Sequence, residues 1–131
     1  MIGLDTNVLV RYFMQDDVRQ SPAATRLVDS LTAETPGFVS VVTLVELVWV
    51  LSESYRQSRE RTAAALQILL AAREIVVDGK ETVARALRAF EAGSADFADC
   101  LIERIAAGAG CEATMTFDIR AAKTAGMTLI G

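Results

Sequence analysis

One pattern governs what this chain can fold into: short apolar runs alternate with stretches of helical period from one end to the other. Residues 2–4, 38–42, 75–77, 113–115 and 127–130 read as strands. Residues 7–14, about 21–31, 43–55, 59–72, 81–92, 96–107 and 118–125 read as helices. The punctuation agrees with this division. Ser21-Pro22 sets a cap before proline at a first helical position, and Ser58 precedes another helix. Thr35-Pro-Gly37 and Asp78-Gly79 are turns, and Gly93, Gly108 and Gly110 stop helices. Strands alternating with helices predict an α/β domain, with a mostly parallel sheet covered by helices on both faces. With 131 residues and no repeat or linker, a single domain over residues 1–131 is expected.

The core is ample. Hydrophobic residues are 52% and charged residues 23% of the chain, which excludes a disordered polymer. The stretch around Leu44, Val45, Leu47, Val48, Trp49, Val50 and Leu51 leaves almost no polar face. A helix apolar all round is buried on more than one side, and one of those sides is expected to meet a second chain. No apolar run approaches the ~18 residues of a membrane span, and the start lacks a basic signal region, so a cytoplasmic protein without membrane contact is expected. Cys100 and Cys111 read as small buried hydrophobes in a reducing compartment, too few for a zinc site.

Histidine is absent. Serine–histidine and cysteine–histidine nucleophile schemes and histidine-ligated metals are therefore excluded. Acid–base or metal chemistry must run on carboxylates, of which there are 17. Four of them occupy element junctions. Asp5 follows the first strand, Glu46 lies a turn beyond the second, Asp99 opens a helix, and Asp118 follows the fourth strand. Each has a local explanation. Glu46 with Thr43 fits a capping box, Asp96 and Asp118 fit helix caps, and Asp5 fits a turn. Their shared placement toward one edge of a parallel sheet is the edge at which α/β proteins bind ligands. Thr6, Asn7 and Thr116 stand beside them and can hydrogen-bond a carboxylate or hold a water.

Carboxylates gathered at one place raise one another's pKa and are most easily tolerated around a cation. An all-oxygen donor set favours Mg²⁺, or Mn²⁺ in its place, and suits hydrolysis of a phosphate ester. Net charge is −4, but leaving Asp5, Glu46, Asp96, Asp99 and Asp118 out of the count turns it to +1. The acidic balance thus does not exclude a nucleic acid.

Four motifs carry a family resemblance: Leu4-Asp5-Thr6-Asn7, Ser40-Val-Val-Thr43-Leu-Val-Glu46-Leu47, Asp96-Phe-Ala-Asp99-Cys-Leu-Ile102 and Thr116-Phe-Asp118. In that order and spacing, the chain resembles PIN-domain ribonucleases, specifically VapC-type toxins of type II toxin–antitoxin systems. The resemblance implies a PIN-like three-layer α/β/α sandwich around a sheet of four to five strands. It implies a Mg²⁺-dependent endoribonuclease, with Asp5 and Asp99 as the main metal ligands and Glu46 and Asp118 completing the cluster. Asn7 and Thr116 would orient carboxylates and waters, and Asp96 would cap, ligate through water or assist electrostatically. It further implies a homodimer and a cognate antitoxin bound in an apolar groove. The pair would form a heterotetramer or larger, touching operator DNA only through the antitoxin. Trp49, Tyr55, Tyr12, Phe13 and Met14 are candidates for that groove. Arg11, Arg56, Arg59, Arg61, Arg120 and Lys123 are candidates for RNA phosphates.

Rival readings differ in class. An aspartate-nucleophile phosphatase needs a second aspartate where Asn7 stands. A structure-specific DNA nuclease shares the acidic chemistry but is normally longer. A non-catalytic PIN-like binding module would keep the acids only as caps.

Overall fold

The computed structural model describes residues 1–131, and the chain divides into two compact units, Met1–Asp78 and Gly79–Gly131. The first unit runs β1 (Ile2–Gly3), α1 (Thr6–Met14), α2 (Gln20–Ser30), β2 (Gly37–Val39), α3 (Val41–Trp49), a π-helical segment (Val50–Ser54), α4 (Arg59–Ala71) and β3 (Ile75–Val77). Its sheet has the order β1-β2-β3 and is parallel throughout, with Gly3 opposite Phe38 and Phe38 opposite Val76. Gly37 sits in the middle strand under Leu4 and Leu31, whose methyls lie where a β-carbon would project. Leu9 from α1, Val39 from β2, Leu44 and Leu47 from α3, and Leu66 and Leu69 from α4 are fully buried.

The second unit runs α5 (Lys80–Ala92), α6 (Phe97–Gly108), β4 (Met115–Thr116), α7 (Ile119–Thr124) and β5 (Thr128–Leu129). Val83, Ala86, Leu87 and Phe90 form the buried stripe of α5, and Phe97, Cys100 and Leu101 that of α6. Phe90 and Phe97 meet edge to face, 5.8 Å between ring centres. β4 and β5 pair in parallel.

The α/β class with parallel strands is as expected, and all five strands are present. They are distributed as a three-stranded and a two-stranded sheet because β4 and β5 bond only to each other. Several boundaries differ for physical reasons. β2 stops at Val39 because Ser40, in extended geometry, turns its hydroxyl to the Thr43 amide and starts α3 a turn earlier than the Thr43 capping box would. The long helix expected over 43–55 is α-helical only to Trp49. Beyond it the Tyr55 amide reaches back to the Val50 carbonyl, a wide turn with one extra residue. Within the single chain one side of α3 is uncovered, with Val42 70% and Trp49 62% exposed.

At α2 the free amides of Arg19 and Gln20 are taken by Asp17, so Ser21 is a buried member of the first turn rather than its cap. Cys100 is buried as expected, but Cys111 is exposed in the turn after α6. No helix is long and apolar enough to cross a membrane.

Candidate functional site

Parallel pairing of β1 with β2 brings the carboxyl ends of both strands together, and the first acids follow from that. Asp5 is the N-cap of α1, its Oδ1 accepting the Thr6 amide at 2.8 Å. Thr6 opens the helix, and its hydroxyl donates to Glu46 Oε1 at 2.8 Å across 40 residues of sequence. Glu46 is therefore no cap. Ser40 has taken the helix start, and the Glu46 carboxylate is left to project from the second turn of α3. Asp5, Thr6, Asn7 and Glu46 together line one end of a cleft of about 470 Å³. Val10, Arg11, Val50, Ser54 and Tyr55 line the remainder.

In the second unit the acids cluster at the starts of α6 and α7. Asp96 N-caps α6 by accepting the Ala98 amide at 3.1 Å. Asp118 N-caps α7, its Oδ1 accepting from Arg120 and Ala121. The Asp118 amide in turn donates to the Thr116 hydroxyl at 3.0 Å, so Thr116 braces the loop that carries the acid. The Arg120 guanidinium donates to the Ser94 carbonyl, tying α7 to the segment before α6. The carboxylate of Asp99, half-buried in the first turn of α6, accepts no hydrogen bond.

Capping at Asp5 and Asp118 uses one carboxylate oxygen of the two. Asp5 and Asp118 each commit Oδ1 to backbone amides, which fixes the carboxylate, and leave Oδ2 free. Asp99 shows the electrostatic consequence of the cluster. Its pKa is raised, first by partial burial and then by the negative charges of Asp96 and Asp118. All three influences act in one direction, as expected of carboxylates gathered without a counter-charge. Donors that are all oxygen and anionic, two of them braced by backbone amides, fit a hard divalent cation. Within neither unit do three acidic or thiol side chains converge into a preformed cage.

Asn7 faces the cleft and also lines a neighbouring concavity of about 280 Å³ between α1 and α2, with Ala23, Ala24 and Leu27. A network that sequence reasoning did not anticipate closes the far wall of the larger cleft. Arg11 Nε donates to Gln20 Oε1 at 2.7 Å, and Nη1 donates to Asp16 at 3.3 Å and to the Tyr55 hydroxyl at 3.2 Å. The Tyr55 hydroxyl donates to the other Asp16 oxygen at 2.8 Å, which raises the tyrosine pKa. Residues 15–17 read only as a polar break in the sequence. The one available signal was their position just past a helix, where Gln15 takes a left-handed cap conformation and Asp16 is turned toward α1.

The sequence profile of a family described as PIN domain matches residues 2–127. No curated protein matches the chain.

Proposed function

The chain belongs to the PIN domain family, and from that premise we propose that it is a Mg²⁺-dependent endoribonuclease acting as the toxin of a toxin–antitoxin pair. PIN domains are metal-dependent nucleases, hydrolases of nucleic acid. The finer reading is supported by the four motifs around Asp5, Glu46, Asp99 and Asp118, which resemble those of VapC-type toxins. It is also supported by a chain without histidine, in which only carboxylates are available for the chemistry.

The observation that carries it is Asp99, a half-buried carboxylate with no hydrogen bond and two acidic neighbours. Such a group lacks a stabilising partner until a cation arrives. The reading assigns Asp5 and Glu46 in the first unit, and Asp99 and Asp118 in the second, as metal ligands. Asp96 adds negative charge beside Asp99. When bound, Mg²⁺, or Mn²⁺ in its place, supplies Lewis acidity toward water and toward the scissile phosphate. The protein's own part is positional. Backbone amides hold Asp5 and Asp118, the Thr6 hydroxyl holds Glu46, and Thr116 holds the Asp118 loop. Asn7, on the cleft wall, is assigned to water or substrate. The reading includes a homodimer and a cognate antitoxin. The half-buried Phe13 and Met14 line a groove of about 240 Å³ with Leu51, Ala65 and Ile68, an apolar surface of the kind an antitoxin tail would need.

The test is cleavage of total RNA and tRNA with Mg²⁺ and with EDTA, by wild type and Asp5→Ala. Metal-dependent cleavage lost in Asp5→Ala is expected. Equal cleavage by both proteins would assign the activity to a contaminant and end the proposal.

A further inference from the structure

The cleft beside Asp5 and Glu46 is larger than a hydrated cation needs. At about 470 Å³ it lies within the range of small-ligand sites, roughly 300–1,000 Å³. Its acidic end suits a cation, but its other end carries the opposite charge. Arg11 stands on α1 one helical turn beyond Asn7, so the two share a face. It is the only basic side chain on the cleft wall. Arg56, Arg59 and Arg61, equally basic in sequence, do not line it.

Arg11 is held rather than consumed. Nε is bound to Gln20, and Nη1 is shared between Asp16 and Tyr55, while Nη2 makes no hydrogen bond within the protein. The ion pair with Asp16 spans 3.3 Å, with both side chains partly exposed, at 30% and 41%. A solvent-facing pair of that length orients the guanidinium and does little to quench its charge. A phosphate offers a stronger, bidentate partner of matching geometry. The π-helical segment completes the arrangement. The extra residue in its turn sets Ser54 and Tyr55 on the same cleft as Glu46, and the Tyr55 hydroxyl is fixed by Asp16.

We propose that Arg11 binds a backbone phosphate of the RNA strand next to the one that is cut, in a nucleotide subsite bounded by Asn7, Ser54 and Tyr55. Tyr55 and Asp16 are its positioning residues. The proposal rests on the ribonuclease reading. It adds a phosphate-reading wall to the acidic one, so that an anionic strand is attracted to a cleft whose other end is negative.

The experiment uses the full chain in an Asp99→Asn background, which stops cleavage, and a fluorescein-labelled single-stranded RNA oligonucleotide followed by anisotropy over a salt series. Arg11→Met should weaken binding roughly tenfold, about the size of one charged phosphate contact. It should also flatten the plot of log K against log salt by about 0.7, the counterion share of one single-strand phosphate. Arg11→Lys should restore the slope but not the full affinity, because the charge returns without the fork. Tyr55→Phe, which keeps the ring and removes the brace, should weaken binding by about threefold, the size of one neutral hydrogen bond, with the slope unchanged. A purely structural arginine would leave the slope untouched. Wild-type affinity and slope in both Arg11→Met and Tyr55→Phe would overturn the subsite. If Arg11→Met fails to fold, the Tyr55→Phe result decides. If wild type cleaves no RNA and the Asp99→Asn parent binds none, the ribonuclease reading falls and the subsite falls with it.

Discussion

On the proposed reading, Asp99→Asn is expected to separate metal binding from folding. The substitution removes one negative charge from a group of three and breaks no hydrogen bond, because the Asp99 carboxylate accepts none. Two opposing effects follow in the metal-free protein. The burial cost of the charge and its repulsion from Asp96 and Asp118 disappear, the repulsion being worth roughly 0.2–0.5 kcal/mol for each like-charge pair on or near a helix surface. The favourable placement of an anion in the first turn of α6 also disappears, worth about 0.3–1 kcal/mol. The raised Asp99 pKa places the balance on the side of relief, so without metal the variant should match wild type or exceed it slightly, by no more than about 0.5 kcal/mol, or about 2 °C in Tm for a chain of this size. In Mg²⁺ the two should diverge. At a concentration ten times Kd, wild type gains about 1.4 kcal/mol, about 5 °C, from ligation to the folded state alone. Asp99→Asn should gain nothing. The assay is thermal unfolding by circular dichroism, with EDTA and across a Mg²⁺ series. An equal Mg²⁺ shift in both proteins would refute the assignment of Asp99. A loss of several degrees in EDTA would refute the account of its environment. Asp118→Ala is the contrasting case: it removes a cap for two amides and should cost about 1 kcal/mol even without metal.

Two further outcomes are expected. Thr6→Val, which deletes the hydroxyl held against Glu46, should reduce Mg²⁺ affinity or RNA cleavage about 10–100-fold with little change in Tm, measured by calorimetry and by initial rates. Asp17 gives the pH dependence. The Gln20 amide, then the Arg19 amide, lower its pKa below 3.8, so its stabilising effect on α2 is complete above 3.8 and is lost as pH falls through the lower folded value. Asp17→Ala should lack that acid-side loss, so the wild-type and variant stability curves should converge below pH 3.8 in acid-unfolding titrations.

How far the site could be read from the sequence depended on how local each interaction is. Ser58, Asp96 and Asp118 cap helices through amides two or three residues away, and the sequence points to all three. The same local logic failed at Glu46, where a Thr43 capping box was expected and Ser40 caps the helix instead. The choice was made by where β2 ends. Val39 completes its pairing with Val77, its carbonyl accepts the Asp78 amide, and Ser40 is left extended at the helix start.

Residue types and their order were enough to determine the alternation of strands and helices, the caps at Ser58, Asp96 and Asp118, and the lack of any imidazole for acid–base or metal chemistry. These rest on periodicity and on contacts within a few residues, which any stretch of chain carries with it. Tertiary structure alone decided that Glu46 would be released from capping and held by Thr6, 40 residues away. It also decided that α3 would widen after Trp49 and that Tyr55 would meet Asp16 across 39 residues. Such pairs depend on the register of β1 against β2 and on the packing of α1 against α3. They become definite only when the parallel sheet has brought the strand ends together.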